Sequence, residues 1–208
     1  MRSWFYVIFM FSVSKNGVSA KEVERTLGCT YKTAWRMAKL VRSLMQQGGD
    51  LLSGTVEADE TYIGGRHDHR QGRSKKQIVF GVVERQGNVR AAQVRSSGAR
   101  VLLPALSSVV AHGATVHTDD YGSYRKLKQL GYSHTTVNHS TLEYVRGTAH
   151  TNTIEGFWSQ LKRSLDGTHH AVSPKHLQQY VDEFVYRYNH RSAAVFPELL
   201  AQASRRVQ

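Results

Sequence analysis

This chain has little cysteine, little proline and few acids. Its 208 residues include one cysteine, Cys29, and three prolines. A single thiol excludes an intrachain disulfide and any cysteine-built zinc cage, and it suits a reducing compartment. Asp and Glu number 16 against 28 Lys and Arg, a formal net charge of +12. That imbalance favours polyanionic partners, because each neutralised phosphate releases condensed counterions. No apolar stretch is long enough to span a bilayer, and there is no internal repeat or low-complexity tract. What is present suffices for a core: 40% of residues are hydrophobic, and the length allows one ordinary domain plus a small appendage. Arg2, the apolar run Trp4 to Phe11 and the small residues Val18-Ser19-Ala20 have the outline of a signal peptide. The run is aromatic rather than Leu/Ala-rich, however, and leads unbroken into Lys15-Asn16-Gly17 and a capped helix. A buried first helix is the expectation.

Residues 1 to 47 carry helical signals. Ser19 followed by Glu22 is a capping box, Ala20 to Leu27 a short helix, and Gly28 its stop. Thr30 caps a helix from Tyr31 to about Gln46, with Ala34, Met37, Ala38, Val41 and Leu44/Met45 on one face. The tight Leu27-Gly28-Cys29 connection makes this a helix-turn-helix. Tyr31, Lys32, Thr33 and Arg36 sit early in its second helix, where a recognition helix would meet base edges and phosphates; a plain helical hairpin packing on the main domain is the alternative. Gln47-Gly48-Gly49-Asp50 is the linker. Beyond it the period changes: Thr55 to Ile63, Gln77 to Glu84 and, after a turn at Gln86-Gly87-Asn88, Val89 to Val94 read as strands of an antiparallel meander. A helix over Ala99 to Ala111, broken or begun near Pro104, follows. Then come a strand Thr115 to Thr118, a helix Tyr121 to Leu130 stopped by Gly131, a strand Thr135 to Asn138, and helices Asn152 to Leu165 and Pro174 to Asn189. This order is the ribonuclease-H-like plan.

Acids and amides in this basic chain are gathered in short segments: Val56-Glu57-Ala58-Asp59-Glu60, His117-Thr118-Asp119-Asp120 and His150-Thr151-Asn152-Thr153-Ile154-Glu155. Phosphodiester chemistry needs an activated nucleophile and neutralised charge at phosphorus, which two divalent ions about 3.5–4 Å apart supply. Such ions want carboxylate oxygens. Asp59 falls mid-strand, Asp119 ends a strand, and Glu155 lies in the first turns of a helix. Asn152, Glu155, Ser159 and Lys162 recur on one helical face. Glu57 shares the side-chain parity of Asp59, whereas Glu60 points oppositely. Asp120 competes with Asp119, or caps the helix beginning near Tyr121.

Thr55 to Gly65 resembles the first catalytic strand of ISXO-type bacterial insertion-sequence transposases, members of the DDE superfamily and kin of Merlin elements. Val79 to Arg85 is similar to their second strand, Thr118-Asp119 with Tyr124 to their second acid block. His150-Thr151-Asn152, Ile154-Glu155, Phe157-Trp158-Ser159 and Lys162-Arg163 are similar to their third. The resemblance implies an α/β, ribonuclease-H-like (retroviral-integrase-like) core over 51–208, behind a helix-turn-helix module over 1–47. It implies Asp59, Asp119 and Glu155 as catalytic acids holding two Mg²⁺ (or Mn²⁺) ions. Asn152 is an alternative or auxiliary ligand, and Lys162 with Arg163 would bind phosphate. Trp158 is expected to pack the core, with base stacking the sharper alternative.

The implied function is metal-dependent DNA nicking and strand transfer at element terminal inverted repeats and target DNA. At least a homodimer would work in the DNA complex, in the bacterial cytoplasm on the nucleoid and away from membranes. A nuclease of the same fold and an inactive DNA-binding remnant are the rival readings. Relatives usually carry an N-terminal zinc ribbon, which one cysteine cannot build; a truncated reading frame or a misassigned start is the expectation. Among the histidines, His67/His69 and His169/His170 are expected at the surface facing phosphate, and His117 and His150 as packing residues flanking the acids. Arg66, Arg70, Arg73, Lys75 and Lys76 form a basic loop that tracks a backbone or is simply solvated. Arg187 and Arg191 can do either.

Overall fold

The computed structural model describes residues 2–64, 76–137 and 150–205. Most of the basic loop, including His67 and His69, and the expected strand end at Asn138 lie outside them. By packing, the chain forms two compact units, Met1–Gln47 with Arg163–Gln208, and Gly48–Lys162. The stretch after Lys162 thus packs with the N-terminal helices.

In the Gly48–Lys162 unit, β1 (Thr55–Ile63), β2 (Gln77–Glu84) and β3 (Val89–Val94) form the expected meander. Then α4 (Ala99–Ser107), β4 (Thr115–Asp119) and β5 (Ser133–Val137) follow. The sheet order is β3-β2-β1-β4-β5. β1 and β3 run antiparallel to β2, whereas β4 is parallel to β1 and β5 to β4. This is the ribonuclease-H-like arrangement, and it makes β1 the central strand, bonded on both sides. Alternation divides its residues between the two faces. Val56 and Ala58 join Leu102, Leu106, Val116, Tyr124 and Leu127 in the core under α4. Glu57 and Asp59 point to the other face, where α5 (Asn152–Ser164) lies. Its Ile154, Phe157, Trp158 and Leu161 are buried.

Pro104 lies inside α4 without breaking it, and the helix stops at Ser107 rather than Ala111. The helix loses one amide donor there, but Leu102, Leu103 and Leu106 anchor its buried side. In place of a helix over Tyr121 to Leu130 there are two 3₁₀ turns, Gly122–Tyr124 and Lys128–Leu130. The buried pair Tyr124 and Leu127 is spaced by three, which a three-residue turn eclipses on one side. Strand β4 runs one residue further than expected, so that Asp119 is its last residue.

The other unit holds α1 (Arg2–Val13), α2 (Ala20–Leu27), α3 (Tyr31–Leu44), α6 (Leu177–Asn189) and α7 (Val195–Arg205). The helix-turn-helix signals hold. Ser19 accepts from the Glu22 amide, Thr30 from that of Thr33, and Gly28 ends α2 at φ 63°, where a side chain would be strained. α1 is helical as expected but buried on one side only: Val7, Ile8 and Phe11 face the core, whereas Trp4, Phe5, Tyr6 and Phe9 are exposed. α6 starts at Leu177, later than Pro174, and α5 runs into a π-type turn at Leu165–His169. α7 was not anticipated. No helix among the described residues is long and apolar enough to cross a membrane.

The centre of this unit is ionic. Glu183, fully buried on α6, accepts from Arg42 Nε at 2.8 Å and from Arg187 Nη2 at 2.7 Å. Arg42 also donates to the Val18 carbonyl at 2.7 Å, and Arg187 to that of Ser14. Burial opposes the Glu183 charge, but the two guanidiniums outweigh it and hold the carboxyl below its usual range. Arg187 is therefore a core residue, not a surface cation. His169 is only half at the surface: burial, reinforced by the charge of Arg42, pushes its imidazole down to about 4. His170 is exposed, as expected. Removing Glu183 would strand the buried guanidinium of Arg42 and the mostly buried one of Arg187. Glu183→Ala is expected to lower unfolding free energy by about 3–5 kcal/mol in urea titrations at pH 7, with Glu183→Gln milder.

Candidate active site

The site is built outward from β1. Glu57 pairs with His117 across the parallel β1–β4 ladder. Asp59 and Asp119 each stand two residues beyond that pair, so both carboxylates leave the same face at neighbouring strand positions. Asp119 Oδ1 accepts from the Tyr121 amide at 3.2 Å. Asp119, not Asp120, thus serves the turn that follows. Glu60, on the opposite face, accepts from the Tyr124 hydroxyl at 2.6 Å.

Asp59 is held by α5. Trp158 Nε1 donates to Asp59 Oδ2 at 2.9 Å. The indole reaches so far because the residue paired with Asp59 on β2 is Gly81. A Cβ there would sit 2.6 Å from Trp158 Cη2, too close for any side chain. Trp158 is buried, as expected of a packing residue, and in addition it orients a carboxylate. Burial raises the Asp59 pKa from 3.8 to about 7, with the charges of Glu60 and Asp119 adding to the shift and the Trp158 hydrogen bond opposing it. Burial likewise raises Glu60, and the Asp119 charge contributes.

Asn152, Glu155, Ser159 and Lys162 are all exposed on α5, opposite its apolar side. Glu155 Oε1 accepts from the Thr151 hydroxyl at 2.8 Å. The fold brings Asp59 and Asp119 within electrostatic reach of each other. It places Glu155 one turn before Trp158, on the helix that touches Asp59. Among the described residues no three His, Cys, Asp or Glu side chains stand together as a ready-made metal cage. The donor chemistry suits a divalent cation nonetheless: hard carboxylate oxygens whose mutual repulsion a cation would relieve. Tyr31, Lys32, Thr33 and Arg36, at the start of α3, are exposed, as are Arg163 and Lys76.

One residue has a role that the sequence reading missed. Glu57 is fully buried. Its Oε2 accepts from the amides of Thr153 at 2.8 Å and Ile154 at 3.1 Å, and its Oε1 from the Thr153 hydroxyl at 2.9 Å and Arg85 Nε at 3.0 Å. His150 Nδ1 lies 3.1 Å from the same oxygen. Arg85 also reaches His117 Nδ1 at 3.0 Å and the His150 carbonyl at 3.2 Å. His117 is buried, as expected, and burial with the Arg85 charge holds its pKa down. The signal for Glu57 lay in its parity with Asp59: an acid on the inner face of a central strand must find donors.

A family model, the ISXO2-like transposase domain, matches residues 51–189. An uncharacterized protein in transposable element ISH50 of Halobacterium salinarum is 26% identical over 206 residues, covering 90% of this chain and 69% of that protein. A transposase-like protein of Haemophilus influenzae is 32% identical over 88 residues, 42% of this chain and 70% of that one. Among solved structures, a chain of the simian T-cell lymphotropic virus intasome in complex with a PP2A regulatory subunit has a TM-score of 0.43 at 13% identity. It covers 83% of this chain and 69% of its own length. A pre-cleavage Mos1 transpososome gives 0.39 at 10%, with coverages of 97% and 78%. At these overlaps the sheet order, and neither likeness, carries the fold.

The raised pKa of Asp59 makes a sign-definite prediction for the metal-free protein. A group whose folded pKa lies above its unfolded value binds protons more tightly in the fold, so its contribution is lost as pH rises from about 4 through about 7. Asp59→Asn, which keeps an acceptor for Trp158, is expected to be more stable than the parent by about 1–2 kcal/mol at pH 8 after allowance for partial solvation. In chelator-treated urea titrations this gain should shrink steadily between pH 7 and pH 5.

Proposed function

The chain belongs to the ISXO2-like transposase domain family, and we propose that it works there as a metal-dependent DNA strand transferase using Asp59, Asp119 and Glu155. Its function is that of a DDE-type transposase of an insertion element. The observation that supports the finer reading is the convergence of Asp59 and Asp119 at neighbouring positions of parallel strands, beneath the helix that carries Glu155.

In this reading Asp59, Asp119 and Glu155 hold Mg²⁺ or Mn²⁺, two ions in the working complex, with Asn152 as an auxiliary ligand. The ions supply Lewis acidity toward a phosphoryl oxygen and activate a water or hydroxyl nucleophile. The protein's own contribution is positioning. Trp158 fixes one oxygen of Asp59, and Thr151 fixes one of Glu155. On the exposed face of α5, Lys162, followed by Arg163, binds backbone phosphate. The start of α3, with Tyr31, Lys32, Thr33 and Arg36, meets the terminal repeat, which makes residues 1–47 a DNA-binding module and 51–208 the catalytic region. A net charge of +12 draws both regions to duplex DNA. Joining two element ends calls for at least two protomers. Such work belongs on the nucleoid, in the bacterial cytoplasm.

The test is a labelled terminal-repeat duplex with Mg²⁺ or Mn²⁺. The parent is expected to nick it and join the freed 3′ end to a second duplex. Asp59→Asn, Asp119→Asn and Glu155→Gln should each slow both steps by at least about 100-fold while binding the same DNA within about threefold. Nicking without joining would leave a nuclease; no metal-dependent nicking by the parent would leave a DNA-binding protein. Lys162→Ala should weaken DNA binding and reduce its salt slope by about one ion.

A further inference from the structure

The start of α5 is capped in an unusual way. A helix leaves its first amides without intrahelical acceptors, and a Ser, Thr, Asp or Asn immediately before it ordinarily accepts from the amides two and three positions on. Thr151 stands at that place. The amides a local cap would take, those of Thr153 and Ile154, both go to Glu57 Oε2 on β1, at 2.8 and 3.1 Å. The Thr151 hydroxyl donates instead to Glu155 Oε1, 2.8 Å away. One acid, nearly a hundred residues earlier in the chain, does the work of a cap, and the residue at the capping position orients a neighbouring carboxylate.

We infer that Glu57 is a positioning residue for the reaction: by capping α5 from β1 it fixes the helix against the strand of Asp59 and leaves Thr151 to aim Glu155. The inference rests on the reading of Glu155 as a catalytic acid. Three features separate this from ordinary core packing. Glu57 is fully buried, where an apolar side chain would avoid the cost of desolvating a charge. Its four donors come from two elements, α5 and the turn after β2, so one carboxylate fixes an angle and a distance together. It is two residues from Asp59 on the same face, so the register of β1 that aims Asp59 also places the cap. Arg85 supports the arrangement from below. It balances the Glu57 charge and donates to the His150 carbonyl, on the approach to α5.

The experiment compares the full chain with Glu57→Gln and Thr151→Val. Three readouts apply: amide hydrogen exchange at Thr153 and Ile154, Mn²⁺ affinity of the DNA-free protein by calorimetry, and steady-state nicking. Glu57→Gln keeps a neutral acceptor. It should speed exchange at the two amides by about fivefold or more, weaken Mn²⁺ by about 10-fold and lower kcat by about 10–100-fold, with KM for DNA within about twofold. Thr151→Val should weaken Mn²⁺ and lower kcat similarly, yet leave both amides protected, because their acceptor is Glu57. Should Glu57→Gln fail to fold, the Thr151→Val arm decides alone. Two outcomes overturn the inference. One is loss of amide protection in Thr151→Val, which would make Thr151 the cap. The other is parental Mn²⁺ affinity and kcat in a folded variant. If the parent does not nick DNA, the functional reading fails, while exchange and Mn²⁺ binding still report on the cap.

Discussion

A central strand carrying three acids, Glu57, Asp59 and Glu60, is the constraint around which the Gly48–Lys162 unit is built. β1 is bonded on both sides and covered on both faces, so each carboxylate must be compensated where it stands. The compensation differs at each position. Glu57 receives backbone amides and a guanidinium, Glu60 a tyrosine hydroxyl, and Asp59 an indole N–H and a backbone amide, beside the like charges of Glu60 and Asp119. Burial leaves the Asp59 carboxyl pushed up to about 7, so that a nearby cation would favour its charged form.

Much of this was legible in the sequence. The bounds of β1, β2 and β3 follow from their short apolar and β-branched runs and from the Gln86-Gly87-Asn88 turn, and parity alone puts Glu57 with Asp59 and Glu60 apart. The capping residues Ser19, Thr30 and Gly28 mark helix ends because their chemistry is local. Legibility failed where the deciding partner is distant. Nothing near Glu57 in sequence announces the amides of Thr153 and Ile154. Nothing near Trp158 announces a glycine across the sheet. Arg187 reads as a surface group although Glu183 stands one turn before it on α6, because the burial of that pair depends on Arg42 of α3, and His169 does so because the ring it packs against, Tyr180, lies on a later helix. The segment Tyr121 to Leu130 read as a helix because a three-residue spacing of buried side chains suits either kind of turn.

The helical unit solves the opposite problem. Its fixed charges are neutralised internally, Glu183 between Arg42 and Arg187, while the cations at the start of α3 and near the end of α5 stay at the surface. A basic protein of this size needs that sorting. Guanidiniums that hold the fold together are withdrawn from solvent, and those left outside remain available to phosphate.

The doubly bonded position of β1 has a consequence for how such a chain can vary. Side chains change sides with every residue, so removing or adding one amino acid inside Thr55–Ile63 would turn the acids over, sending the capping carboxylate into the oily layer beneath α4 and bringing alanine up in its place. Length changes in the genes of relatives should therefore gather in the connections between strands, while this nine-residue stretch keeps its count even where its letters drift.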